Sequence, residues 1–203
     1  MPAPARRPPG GHPLLGRVVR LDPLVPADAP DLYAALDDSR VWQAGFGGGP
    51  AGRPRSVPAM ASFLERIRTR GAGHAAYTIR LVESATVVGT SSLGDVDLTN
   101  SRVHLGWTAY APGWWGTGVN AAAKLLLLGH AFDDCGFERV KLQTDALNAR
   151  SQAAIARLGA VREGVLRHHM VRADGSWRDT VVFSVLAREW PAVREGLLHR
   201  LPS

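Results

Sequence analysis

The segment from Arg102 to Thr144 constrains the fold of this chain more than any other part of its sequence. In Arg102–Tyr110 apolar residues alternate with other residues, which is the two-residue periodicity of a β-strand. A glycine-rich turn at Gly113–Gly118 follows, then a predicted helix, Asn120–Asp134, and a second alternating strand, Val140–Thr144. Two strands joined through a helix run parallel, so this segment predicts one parallel strand pair inside a sheet.

Short turns connect the remaining predicted strands, so we expect antiparallel neighbours around that parallel pair. These strands are predicted at Gly16–Leu24, Tyr77–Glu83, Thr86–Leu93, Val161–Val171 and Asp179–Leu186. Helices are predicted at Pro26–Leu36, Val57–Thr69 and Ala149–Leu158, with a further short helix from Glu189. The predicted fold class is therefore α/β, with helices flanking a mixed, mostly antiparallel sheet.

Three polar residues stand where helix N-caps are expected, namely Asp28, Asn120 and Asn148. Asp and Asn side chains favour this position because they accept hydrogen bonds from the free N–H groups of the first turn. Gly136 and Gly159 follow two of these helices and are suited to ending them.

A single cysteine among 203 residues excludes an internal disulfide, which favours a reducing cytoplasm as the location. The length suits one domain, which we expect to span residues 14–203 after a disordered Pro- and Gly-rich tail at residues 1–13. No run approaches the roughly 18 apolar residues that cross a bilayer, so we expect no membrane partner.

The formal net charge of +6 favours acidic ligands such as nucleic acid or a phosphorylated cofactor. Nucleic acid has only this charge in its favour, because the sequence shows neither zinc-ligand spacing nor a basic tract with interleaved aromatic residues. We expect no metal site and either a monomer or a homodimer. Cys135 is predicted to be structural, since no histidine stands at a spacing that would make it reactive.

The turn Gly113–Gly118 combines glycines with the start of a helix. Glycines let a backbone approach a ligand closely, and a helix start presents free N–H groups and a positive dipole end, which suit a phosphate. The P-loop is excluded, because Val119 and Asn120 stand where that motif requires lysine and then serine or threonine. The dinucleotide fingerprint G-x-G-x-x-G/A is matched from Gly116 onward, so an NAD-dependent oxidoreductase stays open as an alternative.

A longer series of short motifs follows this turn. They are Gly116–Gly118, Ala131-Phe132, Arg139-Val140, Asn148 with Ser151 as N-x-x-S, Leu158–Ala160 and Glu163-Gly164. Their order and spacing resemble the GNAT acetyltransferases, and within them the RimJ/RimL-type N-acetyltransferases. The resemblance extends over roughly residues 85–190.

The resemblance implies a GNAT fold, in which the two central parallel strands splay apart, and acetyl-CoA as the acetyl donor. It implies that backbone groups of the first central strand, at Trp107 and Ala109, contact the pantetheine arm. Asn148 would contact the cofactor, and the Ser151 hydroxyl would lie near its sulfur and protonate the leaving thiolate. The pyrophosphate would bind to the backbone of the glycine turn and the helix start, at Trp115, Gly116, Thr117, Gly118, Val119 and Asn120.

The sequence departs from the family pattern at two positions. Gly113 stands where the pyrophosphate loop usually opens with glutamine or arginine, and Met170 stands where RimL-type enzymes place a general-base glutamate. We predict His168 as the substitute base, with His169 and His104 as alternatives, because a histidine can accept a proton near neutral pH. Positioning of the two substrates without a base is a further alternative.

The expected function is transfer of an acetyl group from acetyl-CoA to a primary amine. The RimJ/RimL resemblance favours a protein N-terminus, such as that of a ribosomal protein, and a small amine is the other acceptor class. A non-catalytic CoA-binding or regulatory module is the competing function, because Met170 leaves the expected base position without a proton acceptor.

Overall fold

The computed structural model describes residues 7–172 and 174–201, and these residues contain one eight-stranded sheet. Its spatial order is β1-β2-β3-β4-β5-β6-β8-β7. Neighbouring strands are antiparallel except β5 and β6, which are parallel as predicted. The strands are β1 Leu14–Leu15, β2 Val19–Pro23, β3 Ala75–Leu81, β4 Val87–Asp97, β5 Arg102–Tyr110, β6 Arg139–Asp145, β7 Val161–Val171 and β8 Trp177–Leu186.

Six α-helices cover this sheet. They are α1 Ala29–Leu36, α2 Ser39–Gln43, α3 Val57–Arg68, α4 Val119–Gly129, α5 Ala149–Arg157 and α6 Trp190–Leu198. Helices α4, α5 and α6 share a core with Val103, Leu105 and Val140 on one face of the sheet. Helices α1, α2 and α3 pack with Ala76, Val87 and Ala109 on the other face. Helix α1 contacts β4 and β5, and α3 contacts β3.

The predicted elements are found close to their expected positions, and the bounds of β5 are those read from the alternation. One cap assignment was wrong. Helix α4 begins at Val119 with Gly118 as its N-cap, so Asn120 lies inside the first turn. Asp28 occupies the N-cap position of α1 as predicted, but its carboxylate makes no capping hydrogen bond to that helix; it accepts from Val25 N–H and pairs with Arg80 of β3.

Residues 7–13 of the expected tail lie against the domain. Arg7 donates to the carbonyl of Asp134, and the Tyr77 hydroxyl donates to the carbonyl of Gly10. Gly10 N–H also donates to Nε2 of His130 at 3.2 Å. The first six residues of that tail lie outside the described residues.

Candidate functional site: the gap between the parallel strands

Strands β5 and β6 pair over only a short distance. The paired residues are Arg102 with Arg139, Val103 with Val140, and His104 with Lys141. Among the described residues no further pair joins the two strands, although β5 continues to Tyr110 and β6 to Asp145. The backbone groups of β5 that face β6 therefore border a gap that opens towards the carboxyl ends of both strands.

A β-bulge shapes the β5 side of this gap. The pairing with β4 passes from Ser92–Gly106 to Thr90–Ala109, so that two residues of β5 oppose Ser91 alone. Trp107, the first of them, has a φ of 50°, which is uncommon for a residue with a side chain. The bulge turns the backbone of Trp107 and Thr108 out of the regular ladder, next to the gap.

The glycine turn lies at the carboxyl end of β5 and leads into α4. Gly116 has a φ of 77°, and a Cβ added there would meet no atom within 4 Å. The first N–H groups of a helix have no partner within it. At the start of α4, only the N–H group of Val119 has a side-chain acceptor among the described residues, namely the hydroxyl of Thr117. The turn therefore combines open space, free N–H donors and the positive end of the α4 dipole, which fit a phosphate group.

Asn148 and Ser151 lie at the start of α5, which follows β6 on the opposite side of the gap. Asn148 is the N-cap, and its Oδ1 accepts from Ser151 N–H at 2.9 Å, as predicted from the sequence. Its Nδ2 donates to the carbonyl of Ala44, just after α2. The Ser151 hydroxyl takes part in no hydrogen bond within the described residues, so it is free to donate to a ligand.

Trp115 bridges the mouth of the gap. Its Nε1 donates to the carbonyl of Tyr110 at the end of β5. Arg150 of α5 lies 3.6 Å from the centre of the Trp115 ring, and Arg40 of α2 lies 5.8 Å from it. Arg150 therefore places a cation against Trp115 beside the glycine turn, whereas the charge of Arg40 is paired with Asp38.

A lysine that the sequence analysis did not single out lies behind the bulge. Lys124 of α4 is only 5% exposed, and its Nζ donates to Thr108 Oγ1 at 2.8 Å and to Ser91 Oγ at 3.0 Å. Burial lowers the pKa of Lys124 to about 7. Its position inside the apolar stretch Ala121–Leu128 was the available signal, because lysine is almost never fully buried without a function or a partner.

The histidine predicted as the base lies apart from this gap. His168 is on β7, which is separated from β6 by β8, and its ring stacks on Trp177 with centroids 5.2 Å apart. Trp177 and Arg178 are successive strand residues, so their side chains leave opposite faces. Met170 is paired with Arg178 and lies on the face of Arg178, whereas His168 stacks on Trp177 and lies on the other face. His168 and Met170 therefore point to opposite faces of the β7–β8 hairpin. His169 is exposed on the same edge strand.

Cys135 has a histidine neighbour that the sequence analysis missed. Its sulfur lies 3.7 Å from Nε2 of His130, five residues earlier in the π-helical turn that ends α4. Burial raises the pKa of Cys135 to about 11, so it remains a thiol at neutral pH and the structural interpretation is retained. His12, His130 and Asp134 have potential metal-ligand atoms within 4.8 Å of one another. Both nitrogens of His130 are already hydrogen bonded, to Asp134 and to Gly10 N–H.

No helix among the described residues is long and apolar enough to cross a membrane.

Comparison with known proteins places this architecture in a family. The acetyltransferase (GNAT) domain family matches residues 19–161, which is most of the chain. A curated Bacillus subtilis protein named "Putative ribosomal N-acetyltransferase YdaF" is 30% identical over 110 residues, which cover 54% of this chain and 59% of that protein. The chain thus spans about three fifths of the length of the curated relatives that it matches.

Solved structures show the same fold. A GCN5-related N-acetyltransferase from Brucella melitensis superposes with a TM-score of 0.88 at 26% identity, over 97% of this chain and 88% of that chain. The RimJ protein of Mycobacterium smegmatis, solved in complex with CoA-disulfide, superposes with a TM-score of 0.71 at 24% identity, over 97% of this chain and 92% of that chain. The chain belongs to the GNAT acetyltransferase family, in agreement with its resemblance to the RimJ/RimL-type members.

Proposed function

We propose that this protein transfers the acetyl group of acetyl-CoA to a primary amine, with the gap between β5 and β6 as the acetyl-CoA site. One observation carries the proposal. The bulge of β5 borders the gap between β5 and β6, and the glycine turn that follows β5 brings the free N–H groups at the start of α4 to the same end of that strand. A thioester substrate with a pyrophosphate needs both features, because a carbonyl must be polarised and a phosphate must be bound.

The cofactor-binding residues proposed from the sequence and Ser151 each take a role in this site, whereas His168, on β7, takes none. The backbone of Trp107 and Ala109 borders the pantetheine path, and the backbone from Trp115 to Asn120 receives the pyrophosphate. Asn148 contacts the cofactor from the α5 side. Ser151 donates its hydroxyl proton to the sulfur as the carbon–sulfur bond breaks. Holding the amine next to the thioester supplies a further part of the rate.

We propose a protein N-terminal amine as the acceptor, with a small amine as the other class. Two relatives support this choice by name, the Bacillus subtilis protein above and a Vibrio cholerae structure described as a "putative ribosomal-protein-serine acetyltransferase". A cytoplasmic location would fit an acceptor of this kind.

A non-catalytic CoA-binding module is the second candidate, favoured by Met170, which is exposed on β7 and offers no proton acceptor where RimL-type enzymes place the base. An acceptor panel separates the two functions. The purified protein is incubated with acetyl-CoA and either peptides with free N-termini or small amines such as spermidine, and products are identified by mass. Acetylated peptides support the proposal. Acetylation of small amines alone would show that the acceptor is a small amine and not a protein N-terminus. Bound acetyl-CoA without any product supports the non-catalytic module.

A further inference from the structure

A histidine at the narrow end of the gap has a carboxylate partner on one ring nitrogen. His104 is the last residue of β5 that pairs with β6, and it is 5% exposed. Its Nδ1 lies 3.1 Å from Oδ2 of Asp95, which occupies an irregular position of β4 with a φ of 48°. Among the described residues, the structure gives Nε2 of His104 no hydrogen-bond partner.

The free nitrogen points along β5 towards the bulge. A Cβ added at Gly106 would lie 2.6 Å from Nε2 of His104, so the ring extends over the Gly106 backbone. The same ring contacts Trp107, with centroids 4.6 Å apart. Nε2 therefore lies beside Gly106 and Trp107, next to the backbone that borders the proposed pantetheine path, at the place where β5 and β6 begin to separate.

Several charged groups act on this histidine. Asp95 on β4 faces Nδ1, and Nζ of Lys141 on β6 lies 3.4 Å from the same carboxylate. Lys124 of α4 acts through the sheet, and burial together with both lysines lowers the pKa of His104, although Asp95 raises it. His74 packs on the other side of Trp107, with Arg70 over the same indole ring.

The protonation states follow from these contacts. Asp95 is a carboxylate at neutral pH, because its hydrogen bond with His104 helps lower its pKa to about 2. A carboxylate accepts only, so the proton of neutral His104 resides on Nδ1 and a lone pair remains on Nε2. This is the arrangement of a general base oriented by an acid residue.

We propose that His104, oriented by Asp95, is the catalytic base that removes the proton of the acceptor amine. The inference rests on the proposed acetyl transfer. The amine nitrogen forms a bond with the thioester carbon, Nε2 of His104 takes a proton from that nitrogen, and the carbon–sulfur bond breaks. The thiolate receives a proton from Ser151, which is replenished from solvent, and His104 releases its own to solvent. The products are the acetylated amine and CoA thiol. Asp95 is a positioning residue that fixes the tautomer and the ring.

The test compares His104→Gln with wild type and with His199→Gln, a control on an exposed histidine of the carboxyl-terminal segment. Turnover is followed as thiol release from acetyl-CoA with two probes, a serine-initiated peptide and benzylamine, between pH 5 and pH 9. We expect His104→Gln to lower kcat about 100-fold with an unchanged KM for acetyl-CoA. The kcat of the wild type should fall at low pH, because protonated His104 accepts no proton, and the pH midpoint of this fall should be the same for both acceptors. His199→Gln should behave as wild type.

Asp95→Asn keeps the test decisive if His104→Gln does not fold, because Asp95 lies at the surface with a side chain 55% exposed. We expect its kcat to fall about tenfold. The fall in kcat at low pH, which is the acid limb of the pH profile, should move to lower pH, since the carboxylate that raises the pKa of His104 is gone. Wild-type turnover and an unchanged limb in either variant would overturn the inference while leaving acetyl transfer intact. The same holds if His168→Gln, and not His104→Gln, removes the limb. Absence of both turnover and acetyl-CoA binding in wild type would overturn the proposed function and, with it, this inference.

Discussion

Lys124 makes the stability of this protein depend on pH in a way that one substitution can isolate. Burial lowers the pKa of its amine from 10.5 to about 7, whereas in the unfolded chain the amine keeps its ordinary value. The unfolded chain therefore binds more protons between pH 7 and pH 10, so the free energy of unfolding contributed by this group rises with pH. At about 1.4 kcal/mol per pKa unit, the penalty is roughly 4 kcal/mol at pH 7 and about 1 kcal/mol at pH 10.

Lys124→Met keeps the apolar stem and removes the amine. The hydroxyls of Ser91 and Thr108 lie 2.7 Å apart and can bond to each other without it, so the cost of the lost hydrogen bonds is nearly independent of pH. We expect the variant to gain about 3 kcal/mol relative to wild type when the pH is lowered from 10 to 7. For a domain of this size that is a change of roughly 6–12 °C in the difference between the two melting temperatures.

Urea and thermal unfolding of both proteins at four pH values between 7 and 10 measure this difference. Other buried groups, such as Tyr77 and Cys135, also make stability depend on pH in this range, because burial raises the pKa of each in the folded protein while the unfolded chain loses these protons at lower pH. They are present in both proteins, so their contributions cancel in the comparison. Parallel pH profiles, with a difference that changes by less than about 1 kcal/mol, would show that Lys124 stays protonated in the fold and would refute the reasoning.

Three further substitutions test the glycine turn and the proposed acid. Gly113→Arg should tighten acetyl-CoA binding by about three- to tenfold, because the added cation stands beside the proposed phosphate site in open space, and weaker binding by calorimetry would contradict this. Gly116→Ala should lower the free energy of unfolding by roughly 1–2 kcal/mol, since its φ of 77° strains any residue with a Cβ; an unchanged urea midpoint would argue against that strain. Ser151→Ala should lower kcat at least tenfold with an unchanged KM for acetyl-CoA, and steady-state kinetics at wild-type level would remove the hydroxyl from the mechanism.

The sequence predicted the central unit well because its signals are local. Alternation in β5, the glycine turn and the cap at Asn148 each depend on neighbouring residues, and the helical connection between β5 and β6 then makes the pair parallel. The wrong cap at Asn120 has a local reason as well. Glycine is also accepted as an N-cap, although less favoured than asparagine, and with Gly118 in that position the helix is longer by two residues, Val119 and Asn120.

The remaining parts of the site depend on contacts that no local pattern carries. Asp95 reaches His104 only because the β4–β5 pairing is irregular between Gly94 and Asp97. The contacts of Arg150 and Arg40 with Trp115 join three separate elements, so spacing along the chain could not reveal them. Sequence reasoning therefore predicted the glycine turn and the N-x-x-S motif, while the side chains that other helices and strands place beside this site needed the fold.

Calorimetric titration with acetyl-CoA tests the central claim most directly, with NAD as the control ligand. The gap between β5 and β6 predicts one acetyl-CoA per chain with a dissociation constant between about 1 µM and 1 mM, the range of ordinary enzyme substrates, and no heat from NAD. Binding of NAD but not acetyl-CoA would favour the dinucleotide fingerprint that starts at Gly116. No binding of either ligand would contradict the assignment of this gap as an acetyl-CoA site.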